Sequence, residues 1–323
     1  MRNGLLVVGA LVILILAAVA LQMRSTERVD DLASRELLSA EQLEQLAALE
    51  TITLRRGELQ VELARLDGNR GVLSHAGYPV QRERLAALLH ALRGARVLEE
   101  KTANADHHAR LGLDTGSPDS QALQVLLHAN GEDFGIVYGN QVGNGQLVRF
   151  ADEAQVLLIN RTLQMSVNPT DWLALRAVDV PMLQIARARW EYADGETLEL
   201  VKPAEGEYNL TLEDEPEQGG NERWINSLVL ALANLTAQNV ALREELALPA
   251  PSLRMHIETW AGSQLSASLY DINGRHWLLI DSFDQAEEDA ELQVNDDPRW
   301  AFQIGVGQLE DLTRRRADLL AGP

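Results

Sequence analysis

Cysteine is absent from the 323 residues, which removes disulfides, thiolate zinc sites, cysteine nucleophiles and a lipid-modified cysteine anchor together. Positive charge is scarce as well: 28 Lys and Arg face 48 Asp and Glu, a formal net charge of −20. Such a chain has no general basic face for sequence-independent binding of nucleic acid or anionic lipid headgroups. Aromatic residues make up only 5%. No G-x-x-x-x-G-K stretch exists, and the glycines between Gly139 and Gly145 do not precede a helical pattern, so they read as hairpin loops and not as a phosphate cradle. What remains is a chain with 46% apolar residues, a folded composition of a length that suits two modest domains.

One hydrophobic run stands apart. Asn3 to Met23 carries no ionisable side chain, and Leu5, Leu6, Val7, Val8, Leu11, Val12, Ile13, Leu14, Ile15 and Leu16 make it apolar on every helical face. Roughly 20 helical residues match a hydrocarbon core of ~30 Å, so residues 1–23 read as a transmembrane anchor. With Arg2 at its start, the expected placement is a bacterial inner membrane, single pass, N-terminus cytoplasmic and bulk periplasmic. Ala18-Val19-Ala20 supports a rival reading as a cleaved signal peptide, which leaves the remainder in the same compartment.

Residues 24–50 read as a polar stalk with one or two short helices. The next stretch, 51–180, alternates in strands at Ile52–Leu54 and Leu59–Leu63, then changes period: Leu85, Leu88, Leu89 and Leu92 form a helical stripe. Strand-like runs follow near Leu123, Phe134, Leu147 and Val156, with Asn130-Gly131 and Asn144-Gly145 as hairpin turns. Residues 181–323 repeat this order, with strands at Trp190, Leu198 and Tyr208, a helix through Ile225, Leu228, Val229 and Leu232, and strands from Leu253 onward. The offset is roughly 130–140 residues, which predicts an α+β fold: a transmembrane helix followed by two tandem repeats of a mostly antiparallel sheet, one main helix each. The second copy alone carries an acidic insertion over 281–298, with Asp281, Asp284, Glu287, Glu288, Asp289, Glu291, Asp296 and Asp297. It lacks the D-x-D-x-D-G order of a calcium loop and reads as a solvated loop.

The usual reaction centres are not legible. His107-His108 beside Asp106 would point to opposite faces of a strand, His256 reads as solvent-facing, and Ser74-His75 has no nucleophile elbow around it. Arg314-Arg315-Arg316 reads as a solvated helix end. Among the tryptophans, Trp172, Trp190, Trp224, Trp277 and Trp300 read mostly as core, and one left exposed near the acidic loop would anchor an interface. Neither a catalytic residue, a metal ligand nor a cofactor is expected.

A set of landmarks resembles a large bacterial group, the domain-of-unknown-function family 4340. They are Leu37-Leu38 ahead of Leu46, Gly77-Tyr78-Pro79 opening the first helix, Lys101-Thr102-Ala103-Asn104 leading to Arg110-Leu111-Gly112-Leu113, and Asp171-Trp172-Leu173 before Val178 and Ile185. One departure is Gly71-Val72-Leu73, where the family usually has a tryptophan. The resemblance implies a membrane-anchored extracytoplasmic protein that works beside ABC-type transport systems, with no established catalytic residue. The expected function is therefore a non-catalytic accessory subunit, a docking or scaffold module, with ABC transporter membrane subunits as partners and the bilayer contacted through the N-terminal helix. Tyr78, Lys101, Thr102, Asn104 and Trp172 are its candidate partner-binding residues. The alternatives are a periplasmic hydrolase or carbohydrate-active enzyme using paired carboxylates, and a soluble ligand-binding module released by cleavage.

Overall fold

Alternation of period two dominates the chain, and strands dominate the computed structural model, which describes residues 35–66, 68–214 and 222–321. The chain divides into two compact units: residues described up to Arg65 with Glu83–Asn168, and Leu66–Arg82 with Pro169 onward.

The first unit contains β1 (Arg35–Glu36), α1 (Ala40–Gln45), β2 (Leu49–Arg56) and β3 (Leu59–Leu66). The ribbon β4 (Asn69–Val72) and β5 (Tyr78–Pro79) interrupts it and packs in the second unit. It resumes with α2 (Arg82–Arg93), β6 (Arg96–Glu100), β7 (Leu123–Ala129), β8 (Glu132–Val142), β9 (Gly145–Phe150) and β10 (Leu157–Ile159). The strands lie in the order β1-β6-β10-β9-β8-β7-β2-β3. In β7, Leu123, Val125, Leu127 and Ala129 are all buried while the residues between them are half-exposed, so one face of the strand makes the core.

The second unit adds β11 (Val178–Asp179), β12 (Ile185–Tyr192), β13 (Thr197–Val201), β14 (Thr211–Leu212), α3 (Glu222–Ala233), β15 (Asn239–Leu242), β16 (Leu253–Thr259), β17 (Gln264–Ile272) and β18 (Arg275–Asp284). It ends with β19 (Gln293–Val294), β20 (Trp300–Gln303), α4 (Val306–Leu312) and α5 (Arg316–Leu320). Its main sheet runs β14-β13-β12-β16-β17-β18-β20-β15, and β11 pairs with β19 apart from it. Every described pairing between strands is antiparallel. Stripped of β1 and β14, the two main sheets have one connectivity. A hairpin is followed by a helix and an outer strand, and a meander then fills the gap between that strand and the hairpin.

Several expectations are corrected. The α+β class with one main helix per repeat gives way to large antiparallel sheets with few helices, among the described residues two in the first unit and three in the second. The residues are mostly in alternating runs, and strands of up to 11 residues leave little chain for helices. The single-pass inner-membrane placement is also corrected: among the described residues, no helix is long and apolar enough to cross a membrane. The run from Leu5 to Leu16 on which that placement rested lies outside the described residues. The stalk assigned to 24–50 is, from Arg35 onward, part of the first unit, since Leu37, Leu38, Leu46 and Leu49 are buried there. Ser39 caps α1 with a reciprocal Gln42 pair, which fixes the helix start.

The turns follow backbone chemistry closely. Asn130-Gly131 and Asn273-Gly274 have positive φ at both residues, as a two-residue hairpin of the right twist needs. The third turn shifts by one: Val142 pairs with Gly145, so Gly143-Asn144 makes the turn, with φ +60° at Gly143. Gly145 instead sits in β9, where a Cβ would approach the Ile159 carbonyl oxygen to 2.4 Å.

Candidate docking site

The residues proposed from the family landmarks fall in both units: Lys101, Thr102 and Asn104 in the first, and Tyr78 and Trp172 in the second, on adjacent segments where Gln81 N donates to the Trp172 carbonyl at 2.7 Å. Tyr78 and Trp172 are completely buried, so they offer a partner no surface. The Tyr78 hydroxyl donates to the Ala174 carbonyl at 3.0 Å and accepts from Asn295 Nδ2 at 3.2 Å, while its ring meets Trp300 edge-on with centroids 4.9 Å apart. Burial pushes its phenol up to about 12. Lys101 pairs with Glu99, and the backbone here extends the sheet, Lys101 N donating to Val156 O and Val156 N to Thr102 O, both at 2.8 Å. The Thr102 hydroxyl accepts from the Asn104 N–H, and the Asn104 side chain accepts from Asp106 N at 3.0 Å, an N-cap for a short 3-10 turn. This is the chemistry of a loop that seals a sheet edge.

The histidines are dispersed too. His128 lies 2.6 Å from Asp133 and 3.5 Å from Glu50, His108 bonds the Ala154 carbonyl, and His256 bonds Ser266. Ser74 Oγ lies 3.1 Å from His75 Nδ1, an interaction between chain neighbours. Among the described residues no group of three His, Asp or Glu side chains stands close enough to hold a metal ion.

Arg314-Arg315-Arg316 is not a solvated helix end. The Arg314 guanidinium stacks 3.7 Å from the Trp224 ring centre, and Arg315 lies 3.9 Å from that of Tyr192 and 3.0 Å from both Asp194 and Glu196. Arg316 reaches Asp214 at 2.8 Å. Trp190 Nε1 donates to the Leu312 carbonyl and the Tyr192 hydroxyl to that of Arg314. These contacts clamp the C-terminal helices onto β12, the turn that follows it and α3.

The acidic insertion is likewise built in. Asp289 is buried, and its Oδ2 accepts from Thr259 Oγ1 at 2.5 Å and Ser263 Oγ at 2.6 Å. Ser263 Oγ accepts in turn from Ala286 N, and Gln285 Nε2 donates to the Asp289 carbonyl. A carboxylate taken out of water is tolerated only with such partners. This knot fixes the loop onto the turn between β16 and β17. Glu287, Glu288 and Glu291 stay exposed around it.

That turn begins with Trp260, an exposed tryptophan at 37%. Its backbone N–H donates to the Gln184 carbonyl at 2.9 Å, which seats the backbone of Trp260 beside the 3-10 turn Met182–Gln184, and Leu183 on that turn is 52% exposed. Gln184 Nε2 reaches Glu291 at 2.5 Å, and the buried Lys202 ammonium donates to the Met182 carbonyl from below. Burial lowers the Lys202 pKa. The result is two exposed apolar side chains on hydrogen-bonded turns, with carboxylates on the adjoining loop. An aromatic anchor with a charged rim is the pattern of an interface centre. Sequence reasoning passed over Trp260 because it follows the alternating run of β16 directly. The signal was present in Trp260-Ala261-Gly262, a tryptophan placed in a glycine turn where no strand partner could cover it.

No curated protein and no solved structure matches this chain. The family model described as Domain of unknown function (DUF4340) matches residues 72–251, which is more than half of the chain. The chain therefore belongs to the DUF4340 family.

Proposed function

We propose that the chain is a non-catalytic docking subunit of an ABC-type transport assembly, with transporter subunits as its partners. The observation that carries the docking role is the exposure of both Trp260 and Leu183 on turns tied by the Trp260 N to Gln184 carbonyl bond, with the first of those turns held by the Asp289 knot. Exposing part of a tryptophan to water is unfavourable unless a partner covers it, and the hydrogen-bonded turn keeps the backbone that carries the ring in place before binding. The flanking Glu287, Glu288 and Glu291 favour a partner whose contact surface has an apolar pocket rimmed by Lys or Arg. The transport context rests on what the resemblance of the landmark residues implies, not on the family match, which carries no function.

The hydrolase alternative requires two carboxylates converging in a pocket. Asp289 is the buried acid among the described residues, and both hydroxyls on it belong to the structural knot, so burial does not favour that reading.

Affinity capture of the tagged full chain from a mild-detergent extract tests the proposal. A transporter subunit should come through with the wild type, and Trp260→Ala should reduce its recovery about tenfold or more, as truncation of an interface anchor does. Trp260 is only 37% exposed, so the same variant also loses buried apolar contact and should cost about 2 kcal/mol, and circular dichroism must show it folded before recoveries are compared. Recovery of the chain without any transporter subunit would refute the assembly.

A further inference from the structure

The first unit holds a polar pocket of about 500 Å³ that has no part in the docking surface. Arg56, the last residue of β2, lines it with Gln121, Tyr138, Gln141, Gln146 and Gln164. Gly57 explains the placement of the arginine. Its φ is +57°, and a Cβ there would come within 2.2 Å of the Pro118 carbonyl oxygen, so only glycine lets the turn after β2 press against residues 118–120.

The lining is amide-rich and contains no carboxylate, which is unusual in a chain with a net charge of −20. Gln146 is bonded at both ends: its Nε2 donates to the Gly139 carbonyl at 2.9 Å and its Oε1 accepts from Leu163 N at 2.7 Å. Burial raises the Tyr138 pKa, which keeps that hydroxyl a neutral donor. Gln141 and Gln164 are exposed.

Arg56 is under-used. Its Nη2 reaches the Met165 carbonyl at 3.5 Å, the outer limit of a hydrogen bond, and its Nε is shut off from solvent with no partner among the described residues. A buried donor without a partner is unfavourable, and a guanidinium presents its N–H groups as a planar fork that matches a carboxylate. We propose that this pocket binds a small carboxylate ligand bearing hydroxyl or amide groups. The Nη groups of Arg56 take the carboxylate, and Tyr138, Gln141 and Gln164 take the polar groups.

The test is calorimetric titration of the full chain with sodium glucuronate and with N-acetylglycine, against glucose and sodium sulfate as controls. One-to-one binding of either carboxylate, with neither control binding, is the expected result. Glucuronate alone identifies a sugar acid as the source, and N-acetylglycine alone a peptide-type carboxylate. Arg56→Gln should weaken binding about tenfold or more, and Gln164→Ala about two- to fivefold. No binding of either carboxylate, equal binding of sulfate, or binding unchanged in Arg56→Gln would each overturn the proposal. If circular dichroism shows Arg56→Gln unfolded, Arg56→Lys keeps the charge without the fork. Affinity unchanged in both Arg56→Lys and Gln164→Ala then overturns it.

Discussion

Helices α2 and α3 carry the same apolar stripe 140 residues apart: Leu85, Leu88, Leu89 and Leu92 in one, Ile225, Leu228, Val229 and Leu232 in the other. In α3 all four are buried, together with Asn226, Ala231 and Ala233. In α2 only Leu88 and Leu92 are, and Leu85 and Leu89 are half-exposed. Each helix has the same place in a sheet of the same connectivity, so topology does not explain the difference. The cause is what backs the helix. In the second unit Gln308 Nε2 on α4 donates to the Ala231 carbonyl, Arg314 covers Trp224, and Leu312 and Leu319 are fully buried. A duplicated framework thus carries one lightly covered helix and one enclosed by a C-terminal addition. Stability in the second unit depends on chain that the stripe does not include.

The largest expected effect comes from ending the chain before Val306. Without α4, α5 and the arginine clamp, α3 should lose its hydrogen-exchange protection while β7 and β8 keep theirs. Equal loss in both units would break the comparison. Next, Ile225→Ala should cost about 3 kcal/mol, within the range for buried aliphatic truncation, and Leu85→Ala only about 1 kcal/mol. Denaturant unfolding with a probe in each unit reads both values, and similar costs would show that coverage of the helix does not matter.

A third change probes the knot beneath the docking surface. Asp289→Ala strips two buried hydroxyls of their acceptor and should cost about 2 kcal/mol, loosening residues 285–292 to proteolysis. The smallest effect concerns the ribbon β4–β5, which follows the first hairpin in sequence but packs in the second unit. Tyr78→Phe should cost about 1 kcal/mol near neutral pH, with the loss confined to the second unit. Its folded pKa of about 12 lies above the ordinary value of 10. The protonated phenol therefore stabilises the fold fully below pH 10, and that contribution is lost as the pH rises from 10 toward 12. In the phenylalanine variant this part of the alkaline slope should be missing, as urea titrations across the range would show.

Much of the framework was readable from spacing. The four-residue stripes mark α2 and α3, and Leu123-x-Val125-x-Leu127 and Leu253-x-Met255-x-Ile257 mark β7 and β16. The Asn-Gly turns follow from local conformational preference. The shift of the third turn to Gly143-Asn144 did not, because only pairing with Ile159's strand shows that Gly145 must lie in β9. The candidate site was less legible. Tyr78 and Trp172 were conspicuous in the family landmarks yet are completely buried, whereas Trp260, outside those landmarks, is on the surface. Residue type records that a large ring is present but not which side of the sheet covers it.

The sequence by itself determined where the chain alternates, where it turns and how it is duplicated, because these follow from periods of two and 3.6 and from backbone freedom at Asn and Gly. The meeting of distant segments settles that two of three consecutive arginines stack on rings while all three pair with acids, that one acid of the insertion is buried among hydroxyls, and that Arg56 faces a pocket without carboxylates. A side chain's charge is local, but its partners come from segments far along the chain, as with Arg315 and Asp194. Burial and pairing are set by that meeting, and with them the surface left for a partner.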